Sequence, residues 1–167
     1  MLAIVKLNNK PAKYKEKTSF SAGLWLFIIY LIVLFYITLF AWNYGASLGP
    51  VGPGGRNYNL TPFLSIFRIA VYSPDYTDPV RILVGNIVLF LPFGFLFPLF
   101  INRARQNSKQ VKIITVVFSA LLLSAFIEVN QFLFTYRVAN IDDVILNTTG
   151  AFLGVITYRI LRWIKVI

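Results

Sequence analysis

The sequence predicts an all-α membrane protein, a bundle of four transmembrane helices. Its 167 residues are 57% hydrophobic and only 13% charged, which is too apolar for an ordinary soluble domain. Four apolar runs are long enough to cross a bilayer, because a hydrocarbon core of about 30 Å needs about 20 helical residues. The length allows a single membrane domain over residues 1–167.

The predicted spans cover residues 22–42, 82–101, 113–136 and 141–161. A lysine-rich segment precedes the first run, so a cleaved signal peptide is the alternative interpretation. The run is longer than a signal core, and no clear A-x-A cleavage pattern follows it. The second run contains Pro92 and Pro98, which in a bundle indicate a kink rather than a helix end.

Basic residues predict the orientation of these spans. Twelve lie in the N-terminal segment, after the second span and at the C-terminal end. The opposite side carries four: Arg56, Arg68, Arg81 and Arg137. The positive-inside rule therefore places both termini in the cytoplasm. The net charge of +10 is explained by topology and by anionic lipid, so no nucleic-acid partner is expected.

The connection between the first two spans is the only long one. Its Gly- and Pro-rich stretch at residues 49–55 predicts an irregular turn. Apolar residues at helical spacing in residues 60–72 predict a short interfacial or re-entrant helix, with Thr61 as N-cap and Pro62 at the first helical position. A covering loop without a helix is the alternative.

Polar residues of three spans are predicted to share one layer near the outer surface. Ser124, Glu128 and Gln131 form one helical stripe, and Asp143 and Asn147 form another. Asn86 lies at the same depth on the second span. A carboxylate in hydrocarbon costs about 2.5–3.5 kcal/mol, so the position of Glu128 needs an explanation.

Two explanations of this layer are open. The cluster ties helices together, or it lines an outward-facing pocket for a head group, ion or proton, with the four outer arginines near its mouth. On the fourth span, Gly150 and Gly154 form a G-x-x-x-G pair through which an oligomer is possible. The chain has no cysteine and no histidine, which removes most familiar catalytic arrangements, and no cofactor or metal is expected.

Four strings of the sequence resemble the VanZ-like family. They are Asn-Leu-Thr-Pro-Phe at residues 59–63, Gly-Asn-Ile-Val-Leu-Phe-Leu-Pro-Phe-Gly at 85–94, Ile-Glu-Val-Asn-Gln at 127–131, and the segment 137–154 around Asn-Ile-Asp-Asp-Val. The resemblance implies a small bacterial membrane protein, typical of Gram-positive organisms, in a family associated with low-level resistance to the glycopeptide teicoplanin. It implies no established catalytic reaction. Positions that match the family's polar pattern are Asn86, Glu128, Gln131, Arg137, Asp142, Asp143 and Asn147.

These observations favour a non-enzymatic protein of the bacterial cytoplasmic membrane. Its expected partners are membrane lipids, a lipid-linked envelope precursor or a lipoglycopeptide antibiotic. One alternative is a membrane enzyme acting on a lipid head group or phosphate, with Glu128 or Asp143 as general base and Mg²⁺ held by Asp142, Asp143 and Asn147. Another is a small transporter in which Glu128 titrates.

Overall fold

The computed structural model describes residues 12–40, 57–73, 77–104 and 110–167. These residues contain five α-helices: α1 Ala12–Phe35, α2 Leu64–Tyr72, α3 Thr77–Ala104, α4 Ile113–Phe134 and α5 Ile141–Trp163. A π-helical turn, Tyr36–Phe40, extends α1. Two short strands, β1 Tyr58–Asn59 and β2 Ala139–Asn140, pair in parallel.

Four of the described helices are long and apolar enough to cross a membrane. Their candidate spans are Gly23–Phe40, Val80–Asn102, Ile113–Phe134 and Ile141–Trp163. This confirms the predicted all-α fold with four apolar helices. The last two residues of the first predicted span, Arg56 and the stretch at 49–55 lie outside the described residues.

The bundle is apolar outside and partly polar inside. Large apolar side chains such as Trp25, Ile32 and Ile114 are more than half exposed, at 61%, 63% and 68%. By contrast, Glu128 and Gln131 are buried. A water-soluble protein has the opposite arrangement, whereas a lipid-exposed surface must be apolar and intramembrane polar groups face the interior. The chain is accordingly a multi-pass membrane protein.

The most extensive helix contact joins α3 and α5. It depends on three glycines, because a Cβ atom at Gly94, Gly150 or Gly154 would collide with backbone atoms of the facing helix. Gly150 faces the carbonyl of Ile87, and Gly154 faces that of Leu91. Small residues let membrane helices approach closely in this way. The glycine pair expected to allow oligomerisation is therefore occupied by α3 of the same chain.

Helix α1 packs on the other side of α3 through aromatic residues. The ring of Phe27 lies 5.9 Å from Phe93 and 5.6 Å from Phe100, between ring centroids. The hydroxyl of Tyr30 donates to the carbonyl of Leu89 at 3.0 Å. Helix α3 continues through Pro92 and Pro98, as expected for prolines supported by neighbouring helices.

The alternating direction of the helices creates two different ends. At one end the π turn, the start of α3, the end of α4 and the start of α5 surround the polar cavity described below. At the other end, Asn102 donates to the hydroxyl of Tyr158 at 3.1 Å, and Arg159 donates to the carbonyl of Val111 at 2.8 Å. We call these the cavity end and the basic end.

The substitution Gly150→Ala is expected to lower the free energy of unfolding by about 1–3 kcal/mol, because its Cβ meets the α3 backbone and forces the helices apart. Thermal unfolding of purified protein in detergent measures the effect. Gly85→Ala is the matched control, since nothing lies within 4 Å of a Cβ there. Equal unfolding midpoints for the two variants would contradict the close approach.

Candidate functional site

Helix α2 is held by a carboxylate from α5. It begins after Phe63, whose φ of 63° is left-handed, and its first amides turn toward Asp142. The backbone N–H groups of Ser65 and Ile66 donate to the Asp142 carboxylate at 2.8 and 3.2 Å, and that of Phe63 donates at 2.5 Å. The short helix predicted within residues 60–72 is present. The predicted start, with Thr61 as N-cap and Pro62 at the first helical position, is wrong, because the helix begins at Leu64 and its first amides donate to a carboxylate of another helix.

Asn140 links four elements at the cavity end. Its backbone N–H donates to Glu128 Oε2 at 2.6 Å, and its side-chain Nδ2 donates to Asp143 Oδ1 at 3.3 Å. Its Oδ1 accepts from the backbone N–H of Asp142 at 3.2 Å, which caps α5. The same oxygen accepts from the side chains of Asn59 and Ser65 at 3.2 and 3.1 Å. One residue thus connects α4, α5, β1 and α2.

A polar cavity of about 240 Å³ lies between the π turn, α3, α4 and α5. Six of the seven predicted site residues line it: Asn86, Glu128, Gln131, Arg137, Asp143 and Asn147. Asp142 is the exception. Its carboxylate points at the α2 amides, so it holds α2 in place and does not line the cavity.

The π turn contributes backbone carbonyls to the cavity wall. A π turn displaces carbonyls from their regular helical partners. Gln131 Nε2 donates to the carbonyl of Thr38 at 2.8 Å. Arg137 Nη1 donates to the same carbonyl and, at 3.4 Å, to the carbonyl of Ile37. Burial lowers the pKa of Arg137 from its usual value, and the Asp143 and Glu128 carboxylates act in the opposite direction. Arg137 therefore joins the π turn to the connection between α4 and α5.

The inner part of the cavity is formed by Asn147 and Asp143. Asn86 Nδ2 donates to Asp143 Oδ1 at 3.1 Å, which joins α3 to α5. Asn147 lies one turn further along α5, is only 3% exposed, and donates through Nδ2 to Ser124 Oγ at 2.8 Å. Within the described part of the chain, Asn147 Oδ1 has no hydrogen-bond donor.

The predicted outer arginines are not equivalent. Arg81 is exposed and lines the cavity, as the half-buried Arg137 does. Arg68 is exposed on α2 and is absent from the cavity lining. Arg56 lies outside the described residues.

An apolar groove of about 400 Å³ adjoins the cavity. Glu128 and Asn140 belong to the walls of both. The remainder of the groove is almost entirely hydrocarbon, with lining side chains that include Leu60, Ala125 and Phe132. A polar space and an apolar space therefore have Glu128 and Asn140 as common wall residues.

The ligand set considered for Mg²⁺ does not assemble. Asp142 and Asp143 are adjacent in sequence, but their carboxylates serve α2 and the cavity respectively. In the described ranges, no group of three or more His, Cys, Asp or Glu residues could hold a metal ion. The donor geometry thus does not support this alternative.

The chain matches one protein family over most of its length. The VanZ/LLP1 family model covers residues 27–162. The chain is also 32% identical over 133 residues to Protein VanZ of Enterococcus faecium, covering 80% of this chain and 71% of the relative. The chain belongs to the VanZ/LLP1 family. No solved structure matches it.

The strings that carry the VanZ resemblance meet around the cavity. Asn59 and Phe63, from the first string, bond to Asn140 and Asp142. The other three supply residues of the α3, α4 and α5 walls, including Asn86 and Glu128. The family's sequence pattern therefore corresponds to one spatial unit in this VanZ/LLP1 protein.

Two contributors to this unit were missing from the predicted site. Asn140 directly precedes the two aspartates, so its position as an N-cap was available as a signal. The carbonyl of Thr38 had no signal, because a backbone acceptor in a π turn leaves no mark on residue type.

Asp142→Asn is expected to speed amide hydrogen exchange at Phe63, Ser65 and Ile66 by about tenfold or more, since hydrogen bonds to charged groups contribute about 1.5–3 kcal/mol. Mass-spectrometric exchange in detergent measures this. Asp143→Asn is the matched control because its carboxylate bonds elsewhere. Similar protection of these amides in both variants would remove the assigned role of Asp142.

Proposed function

We propose that this VanZ-family protein lowers susceptibility to lipoglycopeptide antibiotics such as teicoplanin without catalysing a reaction. In this proposal the polar cavity takes up the head of a lipid, a lipid-linked envelope precursor or a lipidated antibiotic. The observation that carries it is a cavity of about 240 Å³ lined by two carboxylates, two arginines and several amides inside an apolar bundle. Intramembrane ionisable groups are costly, so such a lining is expected to serve a ligand.

The neighbouring groove supports an amphiphilic ligand. A lipid presents a polar head joined to hydrocarbon, and the cavity and groove offer matching surfaces that share Glu128 and Asn140. Teicoplanin carries a lipid tail, which allows an encounter within the membrane. Burial of each methylene group contributes about 0.8 kcal/mol, so a chain in the groove would add substantially to the affinity.

The proposal requires the cavity end to face the outside of the cell. The distribution of basic residues in the sequence supports this, because the predicted topology puts twelve on the side of the termini and four on the opposite side. Ligands outside the cell could then reach the cavity without crossing the membrane.

Glu128→Gln and Asp143→Asn are expected to abolish most of the teicoplanin tolerance that the protein confers. Each keeps the approximate size and shape of the side chain but replaces a carboxyl group with an amide, which has one acceptor oxygen fewer and cannot carry a negative charge. Loss of a charge-assisted contact weakens ligand binding by about tenfold or more. Minimum inhibitory concentrations in a host that lacks its own VanZ protein measure the effect, at matched membrane levels of each variant.

Two further substitutions have matched controls on the same protein. Asn147→Ala is compared with Asn130→Ala, whose side chain bonds to the carbonyl of Phe126 within its own helix. Arg81→Ala is compared with Arg68→Ala, because both side chains are exposed but only Arg81 lines the cavity. Full tolerance in all cavity variants would refute the proposed function.

The orientation can be tested with single cysteines, since the chain has none of its own. Thr61→Cys, exposed beside the start of α2, is expected to react with a membrane-impermeant maleimide in intact cells. Ile167→Cys, at the basic end, is expected to react only after permeabilisation. The reverse pattern would place the cavity toward the cytoplasm and exclude direct contact with extracellular antibiotic.

A further inference from the structure

Donors and acceptors are distributed unevenly along the depth of the cavity. The innermost polar group of the lining is the Asn147 side chain, and the carboxylates of Glu128 and Asp143 lie nearer the start of α5. The outer part presents the guanidinium group of Arg81, whereas Arg137 lies nearer the carboxylates, where it donates to the carbonyl of Thr38. Arg81 lies five residues before Asn86 on α3, and Asn147 lies four residues after Asp143 on α5. At about 1.5 Å per residue, these offsets separate the two layers by more than one helical turn.

Asn147 is the most specific feature of the inner layer. Its amide is fixed by the bond from Nδ2 to Ser124, which is fully buried on α4. The carbonyl oxygen Oδ1 is buried without a donor in the described part of the chain. A buried acceptor without a partner costs about 1–3 kcal/mol, and a ligand that donates there recovers this energy. The inner end of the ligand is therefore expected to carry N–H or O–H groups.

The charges of the lining select against a simple anion. Two carboxylates and two guanidinium groups line the cavity, so their formal charges cancel. An anion without a positive group would meet Glu128 and Asp143 on one side, and a simple cation would meet the arginines. A molecule with separated charges of both signs matches the lining at both depths.

The size of the cavity restricts the ligand further. Sites for drug-sized molecules commonly have about 300–1,000 Å³. The volume of about 240 Å³ suits a small head group, so among the ligands of the proposed function it favours a lipid head over the peptide core of a glycopeptide antibiotic. A hydrocarbon chain attached to that head would lie in the adjoining groove.

We propose that the cavity binds a dipolar head group, with an amine at the inner end beside Asn147 and a phosphate at the outer end beside Arg81. This specifies the ligand of the proposed function and rests on it for the use of the cavity. The chemistry is that of a phosphorylated amino alcohol, whether free or as the head of a phospholipid.

Calorimetric titration of the full chain in detergent with phosphoethanolamine, ethanolamine and inorganic phosphate tests the proposal. Phosphoethanolamine is expected to bind at least about tenfold more tightly than either fragment, because each fragment loses a charged contact. Inorganic phosphate binding as tightly as phosphoethanolamine would overturn the dipolar assignment.

Two variants assign the two ends of the ligand. Asn147→Leu is expected to weaken phosphoethanolamine binding about tenfold or more, and Asn130→Leu to leave it unchanged. Arg81→Gln, at an exposed position whose replacement does not disturb packing, is expected to weaken the same ligand and to bring the affinities of phosphoethanolamine and ethanolamine together. Unchanged phosphoethanolamine affinity in Arg81→Gln would overturn the assignment even where Asn147→Leu fails to fold.

An experiment in nanodiscs distinguishes a phospholipid head group from a free, soluble ligand. Retention of phosphatidylethanolamine over phosphatidylglycerol, lost in Arg81→Gln, supports a lipid head group, whereas competition by soluble phosphoethanolamine alone supports a free ligand. If neither phosphatidylethanolamine nor soluble phosphoethanolamine binds, the inference is overturned. The two proposals can fail separately. Loss of teicoplanin tolerance in the cavity variants, without any phosphoethanolamine binding, would overturn the ligand assignment and leave the proposed function intact with a different ligand.

Discussion

The hydrogen bond from the backbone of Asn140 to Glu128 is the interaction on which the site depends. A carboxylate inside an apolar bundle needs a donor that cannot move away, and a backbone amide in the connection between α4 and α5 supplies one. This contact fixes the start of α5, because the helix begins at Ile141, the residue directly after Asn140. The side chain of Asn140 then bonds to Asp143, Asn59 and Ser65, so a single residue connects α4, α5, β1 and α2. Polar groups that would be costly individually satisfy one another as a network.

Packing of small residues brings the opposite wall into place. Gly150 and Gly154 allow α3 to approach α5 at backbone distance, and this proximity puts Asn86 within 3.1 Å of Asp143. The same approach supports a helix that contains two prolines, because α3 is packed against both α1 and α5. The cavity is consequently bounded by closely packed helices, from which its polar groups project. Side chains held by packing of this kind favour discrimination between ligands by charge placement.

The arrangement separates structural acidic residues from those available to a ligand. Asp142 and Asp143 are neighbours in sequence, yet one carboxylate holds α2 and the other faces the cavity. Arg137 is similarly divided between the π turn and the two acidic groups, whereas Arg81 is exposed at the outer edge. The division favours recognition of a small dipolar head over coordination of a metal. It also explains why a single family pattern contains both scaffold and candidate ligand-binding residues.

Sequence alone determined the four apolar helices, and it predicted that Asn86, Glu128 and Asn147 lie close together, as they do in the lining of one cavity. These follow from hydrophobic run length and helical periodicity, which are local properties of the chain. Only the tertiary structure decided which way each aspartate turns, that α2 is capped by Asp142, and that the glycine pair serves α3 rather than a second copy. It also assigned Gln131 and Arg137 to carbonyls of the π turn. Such contacts join residues far apart in sequence, and side-chain direction and backbone acceptors have no counterpart in residue spacing.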